Sequence, residues 1–151
     1  MAQHQAIAAG VTIGPARADD LDAIKALADA ERAALGFVRR PALAEAIARG
    51  ELLAAERAGE VVGFVEFHRR RDGQVTLYHI AVAPAARRQG VGRAMLDGLV
   101  TVARASSAGR ILLKCPIDLP ANTFYQRYGF QLQETLNGRK RALNVWILPV
   151  E

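Results

Sequence analysis

Apolar and polar positions alternate with two different periods in the first fifty residues. A short β-like run, Val11 to Ile13, comes first, and Ala18-Asp19-Asp20 then supplies a helix N-cap. Gly36 and Pro41 separate this helix from a second one, Ala42 to Arg49, which Gly50 ends. The pattern therefore predicts a strand followed by two helices, the first with apolar residues at helical spacing, namely Leu21, Ile24, Leu27 and Ala28.

The middle of the chain changes to the two-residue period of β-strands. Leu52 to Arg57 and Val61 to Arg69 read as strands joined by a tight turn at Ala58-Gly59-Glu60. A second turn at Arg71-Asp72-Gly73 leads into a third strand, Val75 to Val82. This region is predicted to be an antiparallel meander.

Helical spacing returns after Pro84. An amphipathic helix over Gly90 to Arg104 and a strand over Arg110 to Lys114 predict a right-handed crossover between two parallel strands. A short helix and a closing hairpin follow, formed by Ala121 to Tyr128, Phe130 to Leu136 and Arg141 to Leu148, with the turn at Asn137-Gly138. We expect one α+β domain over residues 11–151, built around a mixed sheet, and a frayed N-terminus over residues 1–10.

Composition limits the class of protein. A chain of 151 residues with 51% apolar and 23% charged residues has the size and balance of one globular domain. Its apolar runs are too short for a membrane span, and its first residues do not resemble a signal peptide, so we expect a cytoplasmic protein without a membrane partner. The single cysteine, Cys115, excludes an intramolecular disulfide and a multi-cysteine metal site, and its apolar neighbours indicate a buried thiol.

The charge balance favours an anionic partner. Net charge is +5 and the pI is about 10. Nucleic acid is disfavoured, because the basic residues lie in short scattered groups with few aromatic residues between them for base stacking.

One junction suggests where an anion binds. After Val82, a basic turn containing Gly90 and Gly92 leads directly into the N-terminus of the long helix. Amide groups in a first helical turn lack intrahelical partners, and the helix dipole adds to their attraction for phosphate. The segment is not a Walker loop, because no Lys-Ser or Lys-Thr follows the glycines, and it is not a dinucleotide fingerprint, because three glycines at the required spacing are absent.

With these residues the chain resembles the GNAT family of acyl-CoA N-acyltransferases. The segment Arg87-Arg88-Gln89-Gly90-Val91-Gly92 is similar to the family's acyl-CoA motif, and Ala121 to Phe130 resembles its closing segment. The resemblance implies a mostly antiparallel mixed sheet with flanking helices and two splayed central parallel strands, between which acyl-CoA binds. It also implies acetyl transfer from acetyl-CoA to a primary amine by direct attack in a ternary complex, without a metal.

The same resemblance assigns roles to individual residues. Tyr125 matches the general acid that protonates the departing thiolate, and an amide near Ala81 or Val82 would polarise the thioester carbonyl. Asn122 is expected to hydrogen-bond the pantetheine arm. The residues expected to hold the co-substrate are Ile80, Ala81, Val82, Arg87, Arg88, Gln89, Gly90, Val91, Gly92, Arg93 and Asn122.

The general base is the least determined part of the prediction. Strand alternation places Glu66 and His68 on one face, which makes them the base candidates. In the family that the chain resembles, some members carry the base at positions with the parity of Thr76 and Tyr78. His79 has the opposite parity and is disfavoured, unless a β-bulge changes that parity. The acceptor is not identified, although Arg39, Arg40 and Arg141 favour one that carries a carboxylate. A non-catalytic acyl-CoA sensor is the alternative function, and a homodimer is left open.

Overall fold

A computed structural model describes residues 6–8 and 10–151. The strands are β1 (Ala6–Ala8), β2 (Val11–Pro15), β3 (Leu52–Arg57), β4 (Glu60–Arg69), β5 (Gln74–Val82), β6 (Arg110–Pro116), β7 (Gln131–Asn137) and β8 (Ala142–Pro149). The helices are α1 (Leu21–Ala30), α2 (Arg32–Leu35), α3 (Arg40–Ala48), α4 (Val91–Ala105) and α5 (Ala121–Tyr128). Two compact units are present: the described residues up to Phe67 together with 79–101, and residues 68–78 together with 102–151.

Hydrogen bonds join the described strands in the order β1-β2-β3-β4-β5-β6-β8-β7. The pairs β1–β2, β2–β3, β3–β4, β6–β8 and β7–β8 are antiparallel, whereas β5 and β6 are parallel, with Gln74 to Leu77 opposite Arg110 to Leu113. The predicted α+β fold class, a mostly antiparallel sheet with one parallel pair and flanking helices, is confirmed. The splay of β5 from β6 concerns residues beyond this register and stays a prediction.

The first unit buries apolar residues on both faces of its strands. Ile24 of α1 and Leu43 of α3 pack with Leu52 and Phe64 in one core cluster. On the other face α4 approaches closely, since a Cβ built at Gly98 would lie 2.9 Å from a methyl carbon of Ile13. Alternation along each strand thus sends successive side chains towards α1 and α3 or towards α4.

The second unit has its own buried side chains. Residues of β6 alternate between buried and more exposed positions, with Ile111, Leu113 and Cys115 buried. Trp146 of β8 and Tyr125 of α5 are buried in the same unit. The prediction that Cys115 is a buried thiol is confirmed.

One local prediction needs correction, and one short helix was missed. Residues 6–8, expected to be frayed, form β1 and pair with β2; residues 1–5 and 9 of the predicted frayed segment lie outside the described residues. The short helix α2 was not predicted, because its four residues offer less than two turns of periodic pattern. The last hairpin agrees with the predicted position of its turn, since Asn137 pairs with Ala142 and four residues, 138–141, form the loop.

The other turn and element predictions agree with the structure. Ala58 and Gly59 both adopt positive φ, 52° and 81°, as a two-residue hairpin turn of the primed type requires. The predicted helix Ala121 to Tyr128 matches α5 at both ends. Among the described residues, no helix has the length and apolar character needed to cross a bilayer.

Candidate active site

The junction between β5 and α4 has the backbone geometry of an anion site. After Val82 the chain forms a short 3-10 turn, Pro84–Ala86, and then Arg88 and Gly90 take positive φ values of 61° and 83°. The Gly90 carbonyl accepts the first helical hydrogen bond, from the Ala94 amide at 3.0 Å. The amides that follow Gly90 therefore belong to the first turn, whose N–H groups lie beyond the reach of intrahelical acceptors.

The side chains of this loop divide into two groups. Arg87 pairs with Glu31 at the end of α1, at 2.5 Å between Nη2 and Oε1, and donates from Nε to the Val82 carbonyl at 3.2 Å. Gln89 donates to the Ala85 carbonyl at 3.1 Å. Arg88 is exposed and has no ion pair among the described residues. Of the side chains predicted to bind phosphate, Arg87 and Gln89 brace the loop, and Arg88 is available to a ligand.

The two amides proposed to polarise a thioester, those of Ala81 and Val82, point to opposite sides of β5. The Ala83 N–H donates to the Val62 carbonyl of β4 at 2.8 Å. Because successive residues of an extended strand direct their N–H groups to opposite sides, the Val82 N–H faces away from β4, as does that of Ile80. Ala81 shares the β4 side with Ala83. Val82 is therefore the better candidate of the two.

Tyr125 lies in an aromatic cluster of the second unit. Its side chain is buried, and its ring centroid lies 5.5 Å from that of Phe124 and 5.6 Å from that of Phe130. Burial raises the pKa of the Tyr125 phenol above its ordinary value, and the nearby Cys115 thiol raises it further. The hydroxyl is therefore protonated at neutral pH, as a proton donor must be.

Asn122 does not have the free amide that a pantetheine contact would require. Its Nδ2 donates to the carbonyls of Pro116 at 2.8 Å and Leu119 at 2.9 Å. Its Oδ1 accepts from Trp146 Nε1 at 2.9 Å and from Asn144 Nδ2 at 3.1 Å. Two donors and two acceptor positions are the full capacity of an amide side chain. The contacts thus favour a structural role over the predicted ligand contact.

The structure gives each base candidate a different partner. Glu66 Oε1 lies 2.7 Å from His79 Nδ1. His68 instead stacks on Tyr78, with ring centroids 6.4 Å apart and planes inclined by 16°. The parity argument had disfavoured His79, which the structure now joins to Glu66. A carboxylate in the otherwise apolar run Gly63 to Phe67, with a histidine on the following strand, was the signal available in the sequence.

Two of the arginines expected to bind an acceptor carboxylate already have one. Arg40 forms an ion pair with Asp22, and Arg141 pairs with Asp118 at 2.6 Å. Arg39 forms no ion pair within the part of the chain that the structure describes. These contacts remove most of the support for a carboxylate-bearing acceptor. Across residues 6–8 and 10–151, no group of three His, Cys, Asp or Glu side chains is placed to hold a metal ion.

Similar solved structures share this architecture. Ard1 from Thermoplasma volcanium superposes with a TM-score of 0.84 at 20% identity, over 94% of this chain and 99% of that one. Rv2747 from Mycobacterium tuberculosis, solved in complex with CoA, gives a TM-score of 0.79 at 24% identity, over 92% and 99%. The ribosomal-protein-S18-alanine N-acetyltransferase from Escherichia coli gives 0.75 at 22% identity, over 93% and 94%. At these identities the likeness establishes the fold.

The family follows from the sequence match. A family model described as the acetyltransferase (GNAT) family matches residues 21–130, which is more than half of the chain. That range includes β5, the loop with Arg88 and Gly90, the long helix α4 and the segment around Tyr125. The chain therefore belongs to the GNAT family of acetyltransferases.

Proposed function

We propose that this protein transfers an acetyl group from acetyl-CoA to a primary amine by direct attack in a ternary complex. The observation that carries the proposal is the loop between β5 and α4, where Arg88 and Gly90 adopt left-handed backbone conformations and Gly90 begins the helix. Consecutive amides exposed in this way form a concave anion site. A family member with such a site is suited to the diphosphate of coenzyme A.

Within the first unit, the co-substrate's groups find matching protein groups along β5 and the loop. The N–H groups after Gly90 and the exposed Arg88 guanidinium would hold the diphosphate. Ile80 and Val82 offer backbone groups on the side away from β4, and these would pair with the pantetheine. The Val82 N–H would then donate to the thioester oxygen, an interaction that strengthens as that oxygen gains charge. The CoA complex of Rv2747 supports this choice of co-substrate.

The proposed chemistry moves one proton from nitrogen to sulfur. The neutral amine attacks the thioester carbonyl carbon, a C–N bond forms, and the C–S bond breaks. Tyr125 would give its hydroxyl proton to the departing thiolate and regain one from solvent afterwards, while a base would take a proton from the amine and later release it to solvent. The products are the N-acetyl amine and free CoA thiol. The buried, protonated phenol of Tyr125 supports the acid role.

The proposal is tested by binding and turnover together. We expect acetyl-CoA to bind in calorimetry, and a panel of amino acids, polyamines and peptides with free N-termini to include amines that trigger release of CoA thiol. Binding without turnover across the panel would instead favour the acyl-CoA sensor. Absence of binding would show that the proposal is wrong.

A further inference from the structure

Glu66 and His79 form a carboxylate–imidazole pair within the first unit. The two residues lie on neighbouring strands β4 and β5, with Oε1 and Nδ1 2.7 Å apart. The Glu66 side chain is 11% exposed and that of His79 is 27% exposed. The carboxylate is therefore the shielded member of the pair, and the imidazole is the member that solvent or a ligand can reach.

The other buried carboxylates of the described chain have structural partners. Asp20 Oδ2 accepts the Arg17 backbone N–H at 2.8 Å, at the start of the helical segment. Glu51 pairs with the Arg49 guanidinium at 3.0 Å, so a guanidinium charge balances its own. Glu66 differs, because its partner is an imidazole, a ring in which one nitrogen can donate a hydrogen bond while the other accepts. This difference marks the pair as suited to proton transfer.

The contact also fixes which ring nitrogen is free. An ionised carboxylate only accepts hydrogen bonds, so Nδ1 must carry a hydrogen atom and donate it to Glu66 Oε1. In the neutral ring the lone pair then lies on Nε2. No second hydrogen bond to the His79 ring is formed by the described residues. A histidine oriented by a shielded carboxylate through one nitrogen presents the other as a base.

We infer that His79 is the general base of the proposed acetyl transfer and that Glu66 positions it; this inference rests on the proposed function. His79 Nε2 takes the proton that the amine releases, directly or through one water, and the amine lone pair forms the new C–N bond. The imidazolium that results is stabilised by the Glu66 carboxylate, and it returns the proton to solvent after the C–S bond has broken. His68, which stacks on Tyr78, has no part in this step.

The position of His79 along β5 fits this role. It precedes Val82, the proposed oxyanion donor, by three residues, which corresponds to about 10 Å along a strand. The His79 imidazole, one water and the nitrogen of the attacking amine, placed in that order, would fill the distance from His79 to the carbonyl held at Val82. The base and the polarised carbonyl would therefore be supplied by one short stretch of strand.

Kinetic variants test the base and its positioning residue. We expect His79→Ala to lower kcat by roughly 10²- to 10⁴-fold with acetyl-CoA affinity within about twofold of wild type. Added imidazole should restore part of that activity. Glu66→Gln should lower kcat alone, yet cost nothing further in the His79→Ala background, because it acts through the missing ring. Additive losses, or no rescue by imidazole, would overturn the inference.

Glu51→Gln is the matched control, since it removes the same charge from an equally buried glutamate. It should lower the unfolding temperature without lowering kcat. A readout independent of any acceptor is the ¹⁵N spectrum of the His79 ring, assigned with His79→Ala. The neutral ring should carry its hydrogen on Nδ1, and Glu66→Gln should increase the Nε2–H form. An Nε2–H tautomer in the wild type would overturn the inference, whereas a wild type that never binds acetyl-CoA would overturn the proposed function instead.

Discussion

At the scale of single residues, the Tyr125 hydroxyl is the group on which thiolate departure would depend in the proposed reaction. Tyr125→Phe removes that hydroxyl and keeps the ring contacts with Phe124 and Phe130. We expect kcat to fall by roughly one to three orders of magnitude, because a positioned proton donor contributes about 10²- to 10⁴-fold and a thiolate leaves tolerably without one. Acetyl-CoA affinity should hardly change. Rates of CoA thiol release and calorimetry measure the two quantities.

Tyr128→Phe is the control for this substitution. Its ring lies 6.0 Å from that of Phe130 in the same cluster, so the variant removes a phenol from a neighbouring, half-buried position. It should keep wild-type turnover. If Tyr125→Phe and Tyr128→Phe were equally active, Tyr125 would be a packing residue and not the acid.

The Cys115 thiol links stability to alkaline pH. Burial raises its pKa from an ordinary value of 9.0 to about 11. Above pH 9 the thiol therefore loses its proton in the unfolded chain but keeps it in the folded one. The contribution of the thiol to the free energy of unfolding is complete below pH 9 and is lost as the pH rises towards 11. The raised pKa of the Tyr125 phenol acts in the same direction at higher pH.

We expect the free energy of unfolding to be lower at about pH 10.5 than at about pH 8, in denaturant titrations monitored by fluorescence. Cys115→Ala should reduce stability at both values but also reduce the difference between them. An unchanged difference would show that the thiol does not contribute to the pH dependence.

At the scale of elements, a negative charge in the loop before α4 should weaken acetyl-CoA binding. Gly90→Asp places a carboxylate at the N-terminus of the helix, where the diphosphate is proposed to bind, and the two anions would repel each other. We expect acetyl-CoA affinity to fall by about tenfold or more, equivalent to at least about 1.4 kcal/mol. Gly59→Asp is the control, because Gly59 has a similar φ of 81° in a hairpin turn with open space around it. Equal affinities in the two folded variants would contradict the proposed diphosphate site.

Asn122 should matter for folding more than for binding. Its amide joins the end of β6, the turn before α5 and strand β8 through four hydrogen bonds. Asn122→Ala leaves the buried Trp146 N–H without its acceptor, and we expect a loss of about 1 to 3 kcal/mol in the free energy of unfolding. Asn144→Ala should cost less, since Asn144 shares only one of these bonds. Weakened acetyl-CoA binding without lost stability would restore the pantetheine role.

Periodicity was sufficient to predict the elements that carry the site. The β3–β4 turn, strand β5, helix α4 and helix α5 all follow from apolar spacing and from glycines that need positive φ. Helix α2 was missed because one turn has no period to detect. The pairing of β1 depends on contacts with β2, which no local pattern reveals.

The chemistry of the site could be predicted only in part. The proposed roles of the loop at Gly90 and of the Tyr125 phenol rest on contiguous motifs that resemble those of the family, and both roles stay predictions. The Glu66–His79 contact joins positions thirteen residues apart, and it depends on the register of two strands. Asn122 was assigned to a ligand because a sequence does not show which hydrogen-bonding groups the protein itself will occupy. Strand register, and which polar groups already have hydrogen-bond partners, become known only from the folded chain.

At the scale of the whole molecule, the net charge of +5 favours an anionic co-substrate, but one ion pair opposes it. Arg87 is bound to Glu31, a carboxylate that would repel a diphosphate bound at the proposed site or compete with it for the arginine. We expect Glu31→Gln to bind acetyl-CoA about two- to fivefold more tightly at low salt, since a partly exposed ion pair is worth about 0.2 to 1 kcal/mol. The gain should shrink as salt screens the charges.

Glu45→Gln changes the net charge equally and serves as the control. Glu45 pairs with Arg49 across one helical turn, at 3.7 Å, on an exposed face of α3. Calorimetry at two salt concentrations compares the two variants. The same gain in affinity in both would assign the effect to net charge and not to the Arg87–Glu31 pair.

In the proposed reaction, the Arg87–Glu31 pair would also affect the end of the catalytic cycle. If the bound diphosphate draws Arg87 away from Glu31, the arginine would regain its carboxylate partner when CoA departs, and this would compensate part of the free energy lost with the diphosphate contacts. The pair would thus shorten the residence time of CoA. Where product release limits turnover, weaker binding of the nucleotide end of CoA raises kcat. The ion pair that lowers the affinity for acetyl-CoA would then also raise the rate at which CoA is released.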